Sequence, residues 1–319
     1  MSDVHLGIVM DPIQSITPAK DSSLAMLLAA QERGWKISYF ELGDLRITNG
    51  EARGVATELS VKDSDDQWFS FGEKRDIALA ELDVMLMRKD PPFDMEYIYS
   101  TYILERAEAE GVLIVNKPQS LRDMNEKAFT AWFPQCCPDT MITRSMDDMR
   151  KFLQQHGKAV VKPLHGMGGQ SIFVVNDGDL NANVIFETLT DYERRYAICQ
   201  GYIPEIKQGD KRIILIGGEP AAKVVARVPS DDDNRGNLVA GAQPDIRPLT
   251  DKDKWICEQV GPVLKERGII FAGIDVIGDY LTEVNVTSPT GIKELQKYGG
   301  IDLADELMSH IDSLLAARR

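Results

Sequence analysis

Apolar residues recur along the chain in short continuous runs, separated by amphipathic stretches of helical length. The first run covers residues 4–10, and the apolar stretch that follows Asp21 ends at Gly34. A short apolar run between turn residues is typical of a buried strand, and an aspartate before a periodic segment favours a helix N-terminus. With a second strand at 36–41, the order predicts a β-α-β start.

The alternation of strands and helices continues to about residue 115. Residues 49–76 carry many charges and turn formers, which indicates a hairpin or a loop. A strand is predicted over 83–87, a helix over 96–110 and a strand over 112–115. The first β-α turn, DPIQSITPAK, contains no GxGxxG sequence, so a dinucleotide-binding fingerprint is absent.

The pattern changes after the sequence NKP, and we place a domain boundary within 118–125. Ser120 precedes an amphipathic run at 121–133 and is predicted to be the N-cap of a helix there. Apolar runs beyond it predict strands over 158–163, 172–175, 196–203, 210–217 and 221–229, with helices over 251–267 and 303–317.

The stretch from 269 to 289 reads as two apolar strands joined by a short turn and interrupted by Asp275, Glu283 and Asn285. A two-residue loop would mix these polar side chains with apolar ones on the same face. A three-residue loop sets Asp275 opposite Glu283 and Gly273 opposite Asn285, and leaves the other face apolar. Because register follows the buried face, we predict the three-residue loop.

The polar face of this hairpin carries two carboxylates and an amide oxygen beside a glycine. Oxygen ligands of this kind suit Mg²⁺, which typically takes one or two carboxylates together with substrate phosphates. The alternative is a solvated face of an edge hairpin. The flanking apolar runs are too continuous for an exposed hairpin, so we favour the metal site.

Arginines near strand ends are candidates for binding anionic groups. Arg88 follows the strand at 83–87, where ligands of open α/β sheets bind, and can pair with a substrate carboxylate. A solvated strand end is the alternative. Arg212 and Arg227 lie near the two ends of the hairpin predicted over 210–229.

Two lysines are candidates for binding phosphate. Lys127 can meet a phosphate at the start of a second domain, or simply form an i,i+4 pair with Asp123. Lys162 directly precedes a glycine-rich loop, and glycines let backbone N–H groups turn toward phosphate oxygens. The loop glycines are Gly166, Gly168 and Gly169.

Residues 229–244 are polar and rich in Gly and Asn, and they lack apolar periodicity. A loop this long in a compact protein is usually functional or disordered. We predict a mobile lid that becomes ordered when ligands bind, with an idle insertion as the alternative. Arg235 is the only cation between Arg227 and Arg247, so it is the candidate for gripping an anionic ligand.

Composition limits the class of protein. The chain has 319 residues, of which 43% are hydrophobic and 27% charged, enough for two or three globular domains. A net charge of -14 disfavours nucleic acid or an anionic membrane as the main partner. There is no apolar run of membrane-spanning length and no signal-peptide pattern. The four cysteines contain no CxxC pair, which fits the cytoplasm and predicts no zinc site.

Six motifs in order are specific to one family. They are MRKDPP (87–92), NKPQSLRDMNEKAF (116–129), KPLHGMGG (162–169), GDKR (209–212), RGN (235–237) and GIDVIGD-LTEVNVTSPTG (273–291). Together they resemble the prokaryotic-type glutathione synthetase family of the ATP-grasp superfamily, over essentially the whole chain. This resemblance implies an α/β protein with a Rossmann-like N-terminal domain (1–122), a central ATP-grasp lid domain (123–202) and a C-terminal ATP-grasp catalytic domain (203–319).

The resemblance also implies roles for individual residues. Those for ATP are Lys127, Lys162, Gly166, Met167, Gly168, Gly169, Gln200, Gly201, Tyr202, Ile203 and Asp210. Arg212 and Arg227 would face the transferred phosphate and the acyl group, and Arg235 joins them as a catalytic candidate. The residues for Mg²⁺, with Mn²⁺ as an alternative ion, are Asp275, Glu283 and Asn285. Ser288, Pro289 and Thr290 would line the glycine site, and Arg88 is added as a substrate ligand from its position.

The implied activity is ATP-dependent joining of γ-glutamylcysteine to glycine through an acyl phosphate, by a homotetramer. One alternative is another ATP-grasp carboxylate–amine ligase, such as a D-alanine–D-alanine ligase or a glutamate-adding ligase, which MRKDPP and TSPTG disfavour. A second is a non-catalytic ATP-binding protein of the same fold. The second is disfavoured by an intact set of charged residues: Lys127, Lys162, Arg212, Asp275 and Glu283.

Overall fold

The computed structural model describes residues 4–166, 168–228 and 243–318, and these residues form three β-sheets. The described strands number seven in the first sheet, four in the second and six in the third. Helices accompany each sheet, so the predicted α/β class is confirmed.

The first sheet contains the parallel strands that the early apolar runs predict. Its strands are β1 (His5–Val9), β2 (Lys36–Phe40), β3 (Leu45–Thr48), β4 (Glu51–Val61), β5 (Phe69–Ala78), β6 (Val84–Met87) and β7 (Leu113–Val115). The spatial order is β3-β4-β2-β1-β6-β7, with β5 paired to β4. Parallel pairing joins β2, β1, β6 and β7, whereas β4 pairs antiparallel with β2, β3 and β5. Residues 49–76 therefore form a hairpin rather than a loop.

Two helices accompany this sheet, α1 (Ser22–Glu32) and α2 (Met95–Ala109). The predicted N-cap of α1 is confirmed, since the Asp21 carboxylate accepts a hydrogen bond from the Leu24 backbone N–H at 2.6 Å. Gly34 has a φ of 76°, and this left-handed conformation lets the chain turn back from α1 into β2.

The helix predicted with Ser120 as its N-cap is wrong. Helix α3 (Pro118–Asp123) begins at its proline, whose missing N–H costs nothing at that position, and Ser120 lies inside it. The Ser120 hydroxyl instead donates to the Arg267 carbonyl. The chain then leaves the helix, because the side-chain oxygen of Asn125 accepts hydrogen bonds from two backbone N–H groups beyond it. Two short 3₁₀ turns follow, at Ala128–Trp132 and at Pro134–Cys136.

The second sheet is antiparallel and has its own core. Its strands are β8 (Thr140–Thr143), β9 (Lys158–Pro163), β10 (Phe173–Asn176) and β11 (Ala197–Gly201), in the order β10-β9-β11-β8. Its helices are α4 (Met146–His156) and α5 (Ala182–Thr190). One hydrophobic cluster, which includes Phe152, Val175 and Phe186, consists only of residues from this sheet and its two helices.

The third sheet is also antiparallel and carries the polar hairpin. Its strands are β12 (Asp210–Ile216), β13 (Glu219–Pro220), β14 (Lys223–Val228), β15 (Gln243–Pro248), β16 (Phe271–Ile277) and β17 (Tyr280–Asn285). Its helices are α6 (Asp251–Glu266), the single turn α7 (Ile292–Glu294) and α8 (Leu303–Arg318). The order is β15-β14-β12-β16-β17, with β13 beside β12. The sequence pattern does not predict β15.

The first and third sheets share continuous apolar cores. One hydrophobic cluster contains Phe40 and Tyr97 from the first part of the chain together with Ile274 and Val284 from the third sheet. A second cluster contains Leu27 together with residues of the third sheet and its helices. The second sheet has a core of its own and meets the polar face of the third sheet where Lys162 contacts Glu283. None of the described helices is long and apolar enough to cross a membrane.

Candidate active site

A cavity of about 360 Å³ lies between the second and third sheets. Apolar side chains from both sheets line it: Val160, Ile172, Val174, Val225 and Ile277. Charged and amide side chains also line it: Lys127, Lys162, Asp210, Arg212, Arg227, Asp275, Glu283 and Asn285. A concave site with apolar walls and a few convergent charges is typical of ligand binding.

The β16–β17 hairpin has the predicted pairing but not the predicted loop. Asp275 lies opposite Glu283, and Gly273 lies opposite Asn285. The three-residue loop is wrong, since Ile277 pairs with Tyr280 across a two-residue turn. A register shift after Asp275 takes up the extra residue, as a β-bulge does, and so restores the pairing that places the polar residues together.

Asp275 is the centre of a buried ion-pair network. Arg212 binds both carboxylate oxygens of Asp275, with its Nη2 2.8 Å from Oδ2, and Arg227 Nη2 lies 3.0 Å from the same oxygen. Arg227 also pairs with Asp210, its cross-strand partner. Burial alone would raise the pKa of Asp275, but the two arginines hold that pKa below its ordinary value. Burial raises the pKa of Asp210 to about 7, although Arg227 opposes the shift.

Glu283 joins the third sheet to two lysines from other parts of the chain. Lys162 Nζ on β9 lies 3.1 Å from the Glu283 carboxylate, and Lys127 Nζ lies 3.9 Å from it. Burial would raise the pKa of Glu283, yet the two lysines lower it. Lys127 also donates to the Gly166 carbonyl at 2.9 Å, so its predicted alternative, an i,i+4 pair with Asp123, is wrong.

The glycine-rich loop follows β9 directly, as predicted. Gly166 and Gly168 have φ values of 102° and 68°. A Cβ at either position would meet nothing within 4 Å, so the glycines are required for backbone conformation rather than for space. Backbone turned in this way, next to Lys162 and Lys127, can present N–H groups to an anion.

The 200–203 segment, which the family resemblance assigns to ATP, lies at the end of β11. Gln200, Gly201, Tyr202 and Ile203 all line the cavity. The Lys158 ammonium lies 3.7 Å from the centre of the Tyr202 ring, which fixes the ring through a cation–π contact. The segment therefore borders the apolar part of the cavity.

Arg88 lies near the predicted substrate residues but is not a solvated strand end. Its guanidinium is buried, donates to the Ser23 hydroxyl and to the Pro289 carbonyl at 3.0 Å each, and leaves Nη1 without a partner in the described residues. Ser288, Pro289 and Thr290 line the cavity, whereas Arg88 lies behind them. Its pairing with a substrate carboxylate stays a prediction.

The predicted metal ligands have suitable chemistry, although cations of the protein occupy two of them. Within the described residues, no group of three or more His, Cys, Asp and Glu side chains is arranged to hold a metal ion. Asp275, Glu283 and Asn285 nevertheless share one face and offer oxygen atoms. Asn285 donates its amide N–H groups to Gly273 and Asp275, which leaves its side-chain oxygen for a cation. This donor set fits a divalent ion.

Three predicted elements cannot be located. Met167, Arg235 and most of the predicted lid at 229–244 lie outside the described residues. Only 243 and 244 of the lid are described, at the start of β15.

Sequence reasoning missed two polar residues of the site, the buried Asn116 and the half-buried Glu126. Asn116 makes four hydrogen bonds to the segments flanking the β16–β17 hairpin. Glu126 lines the cavity and accepts a hydrogen bond from Thr287. The sequence does contain a weak signal for both residues: Asn116 directly follows a buried strand, and Glu126 is adjacent to Lys127. Their partners lie more than 150 residues away, which no local pattern reveals.

Two β-rich sheets with a cavity between them, two lysines that converge on Glu283 beside a glycine loop, and a carboxylate hairpin are the features of an ATP-grasp ligase. Consistent with this class, a sequence model of the prokaryotic glutathione synthetase ATP-grasp domain matches residues 126–300, and one of the N-terminal domain of the same enzymes matches 4–122. The chain therefore belongs to the prokaryotic glutathione synthetase family.

Relatives of full length agree with this assignment. The chain is 53% identical to the glutathione synthetase of Yersinia pestis over 317 residues, covering 99% of each chain. It is 54% identical to that of Escherichia coli K12 over 312 residues, covering 98% of this chain and 99% of the other. It is 55% identical to that of Pseudomonas putida, covering 99% of each. The family resemblance predicted from the motifs is confirmed.

Solved structures show the same fold at low sequence identity. The D-cycloserine synthetase DcsG superposes with a TM-score of 0.70 at 11% identity, covering 99% of this chain and 100% of that one. The ATP-grasp ligase PsnB with a minimal precursor superposes with a TM-score of 0.65 at 16% identity, covering 98% of each. At these identities the comparison supports the fold alone.

Proposed function

We propose that the chain joins γ-glutamylcysteine to glycine at the expense of ATP, forming glutathione, ADP and phosphate. The observation that carries this proposal is the cavity between the second and third sheets, where Lys127, Lys162, Arg212 and Arg227 converge on one carboxylate hairpin. Family membership over the whole chain supplies the substrate pair.

The ATP side of the cavity is assigned from its chemistry. The apolar walls and the 200–203 segment would hold the base, and Asp210 lies at the start of β12 where a ribose hydroxyl can be met. Lys127, Lys162 and the glycine loop would bind the phosphates. These cations now neutralise Glu283, so phosphate would replace a carboxylate as their partner.

Asp275, Glu283 and Asn285 would hold a divalent ion, and we propose Mg²⁺, with Mn²⁺ as the alternative. When bound, such an ion neutralises negative charge on the phosphate oxygens. Binding requires Glu283 to exchange lysine partners for the ion and Asp275 to offer oxygens that now face Arg212. Metal and nucleotide are therefore expected to bind together.

Activation is needed because a carboxylate carbon is electron-rich and oxide is a poor leaving group. Transfer of a phosphoryl group from ATP to the γ-glutamylcysteine carboxylate gives an acyl phosphate and ADP. The glycine amine, in its neutral form, then attacks the acyl carbon, phosphate leaves, and the nitrogen loses a proton as the amide bond forms. Arg212 and Arg227, held on adjacent strands by Asp275, would stabilise the charge that develops on the phosphoryl and acyl oxygens. Ser288, Pro289 and Thr290 would contact glycine, with Arg88 positioning them from behind through the Pro289 carbonyl.

The first experiment measures phosphate release from ATP with γ-glutamylcysteine and glycine together, and with each omitted in turn. Sustained release and glutathione formation are expected only when both are present. Two comparison reactions test the alternative ligases: one contains D-alanine as both substrates, and the other contains glutamate together with an acceptor for it. Faster turnover with either comparison pair, or ATP binding without turnover on any pair, would contradict the proposed activity.

Lys162→Ala and Lys127→Ala are each expected to weaken ATP binding. A charge-assisted contact to phosphate contributes about 1.5–3 kcal/mol, so affinity should fall about ten- to a hundredfold for each variant. Equilibrium titration with a non-hydrolysable ATP analogue measures the effect without turnover. Lys151→Ala is the matched control, because its side chain is 75% exposed on α4, and it should bind ATP like the unmodified protein. Unchanged affinity in both test variants would remove the two lysines from the phosphate site.

The domain division at 1–122, 123–202 and 203–319 is also part of this proposal. The separate core of the second sheet supports the central unit, while the shared cores of the first and third sheets predict that 1–122 and 203–319 unfold together. A homotetramer stays a proposal from the family resemblance, and sedimentation of the purified protein tests it.

A further inference from the structure

Glu126 differs from the other carboxylates that line the cavity, apart from Asp90, which is exposed to solvent. Asp210, Asp275 and Glu283 each form an ion pair with an arginine or a lysine. Glu126 forms no ion pair within the described part of the chain. It accepts a side-chain hydrogen bond from the Thr287 hydroxyl at 2.8 Å.

The loop that carries Glu126 is held in place on both sides. Its backbone carbonyl accepts a hydrogen bond from the Val284 N–H at 2.8 Å, which ties it to β17. The preceding Asn125 donates to the Leu164 carbonyl at 3.1 Å and caps the turn beyond. Glu126 is thus a positioned group in the cavity wall rather than a mobile surface acid.

Two cations of the cavity act on Glu126 electrostatically without forming an ion pair with it. Lys127 directs its ammonium to the Gly166 carbonyl and to Glu283, and Arg212 is committed to Asp275. Burial raises the pKa of Glu126, although the Thr287 hydrogen bond and these cations oppose the shift. A partly desolvated carboxylate without a cationic partner is costly, and a cationic ligand group would offset that cost.

The position of Glu126 in the cavity indicates which ligand would carry the cationic group that it binds. Thr287, which binds it, directly precedes the Ser288–Thr290 segment on the same wall. The lysine-bearing phosphate side lies on its other flank, at Lys127. A cationic group that reaches this point would belong to a ligand placed next to the phosphates.

We infer that Glu126 binds the primary ammonium group of an amino-acid substrate. This inference rests on the proposed function, because γ-glutamylcysteine and glycine each carry one primary ammonium group. Either substrate can supply it, and separate kinetic measurements on the two distinguish them. Glu126 would then act as a substrate-binding residue beside the 288–290 segment.

Glu126→Gln tests the inference, because it removes the charge while it keeps the shape and an oxygen acceptor for Thr287. We expect the KM of one amino-acid substrate to rise about ten- to a hundredfold, which corresponds to loss of a charge-assisted hydrogen bond, while the KM of ATP is unchanged. Glu126→Asp keeps the charge and should recover part of the loss. If only the KM of glycine rises, Glu126 binds the ammonium group of glycine. If only the KM of γ-glutamylcysteine rises, Glu126 binds the ammonium group of γ-glutamylcysteine.

Three outcomes would overturn the inference. They are unchanged KM values for both amino-acid substrates, an equal rise in the KM of ATP, and a change only in the metal concentration that supports activity. Asp123→Asn, an exposed acid in the preceding helix, is the control and should leave all KM values unchanged.

If Glu126→Gln does not fold, Thr287→Val provides a second test. It keeps the negative charge of Glu126 but removes the hydrogen bond that orients this carboxylate. A smaller rise in the same KM is then expected, and no rise would contradict the inference. The omission experiment on the unmodified protein tests the proposed function separately. Turnover that needs both substrates, together with a silent Glu126→Gln variant, would reject the inference alone.

Discussion

Replacing Glu283 by glutamine is expected to reduce turnover by about 10²- to 10³-fold, the loss typical of removing one charge-stabilising group from an active site. Glutamine keeps the size of the side chain and its place opposite Asp275. It removes the negative charge that a divalent ion needs from this ligand. Turnover measured against metal concentration should show that added metal restores only part of the activity.

The same substitution should not weaken ATP binding in the absence of metal. Glu283 now pairs with Lys162 and Lys127, and both lysine side chains are buried. Without the carboxylate, the two lysines lack their anionic partner, so the phosphates of ATP meet less competition for them. Equilibrium titration should therefore give an affinity equal to or higher than that of the unmodified protein.

This separation of turnover from nucleotide binding is what distinguishes a metal ligand from a structural ion pair. Asp279→Asn is the matched control, because Asp279 is an exposed acid in the turn of the same hairpin, and it should change neither quantity. Wild-type turnover of Glu283→Gln at low metal concentration would contradict the metal assignment. Parallel loss of ATP binding and thermal stability would instead indicate a structural role.

The sequence predicts the hairpin register because one face of it must be apolar. Shifting the pairing by one residue would place Asp275 among the apolar side chains of the buried face. The polar side chains of the hairpin are therefore predicted on the correct face even though the predicted turn length is wrong. The loop length was wrong because a β-bulge can absorb one residue without disturbing that face. Burial therefore determines register more strongly than turn length does, and turn length is the weaker inference.

The residue types at the site were predictable, but their partners were not. Lys162 and Glu283 are 121 positions apart, and only the packing of the second sheet against the third brings them within 3.1 Å. Arg88 follows its strand as expected, yet it is buried because Ser23 and Pro289 cover it, from 65 and 201 positions away. Local patterns give strands and helices, whereas these contacts depend on how the strands are connected.

Ser120 illustrates a competition that propensity does not resolve. A serine before an amphipathic run favours an N-cap, but the proline two residues earlier can begin the helix itself. Asn125 then ends the regular structure by binding backbone N–H groups with its side chain. The helix is shorter and earlier than predicted, and this places Glu126 and Lys127 in a turn that faces the cavity.

Asn116 joins the end of β7 to the third sheet through four hydrogen bonds, three of them buried and one part-buried. Its amide nitrogen donates to the carbonyls of Phe271 and Val286, at 2.7 Å each. Its oxygen accepts from the N–H groups of Ile270 and Phe271, at 2.8 and 2.9 Å. One side chain thus satisfies four backbone groups that flank the strands carrying Asp275 and Glu283.

Asn116→Ala is expected to cause a large loss of stability, although Asn116 lies outside the cavity. Each buried backbone group left without a partner costs about 1–3 kcal/mol, and partial relaxation and water entry make a total of about 3–5 kcal/mol a reasonable expectation. The melting temperature should fall by about 6–10 °C. Thermal unfolding followed by circular dichroism, with and without an ATP analogue, measures the change.

Two further variants make the Asn116 prediction specific. Asn116→Asp keeps the acceptor for Ile270 and Phe271 but removes both donated bonds and buries a charge, so it should be at least as destabilising as alanine. Asn183→Ala, which removes an exposed asparagine on α5, should change stability by no more than about 0.5 kcal/mol. Because the first and third sheets share their cores, the loss at Asn116 should appear as a lower temperature for one common transition. A melting temperature within 2 °C of the unmodified protein, a shift of less than about 1 kcal/mol, would show that water replaces the side chain and that the four bonds do not hold the two sheets together.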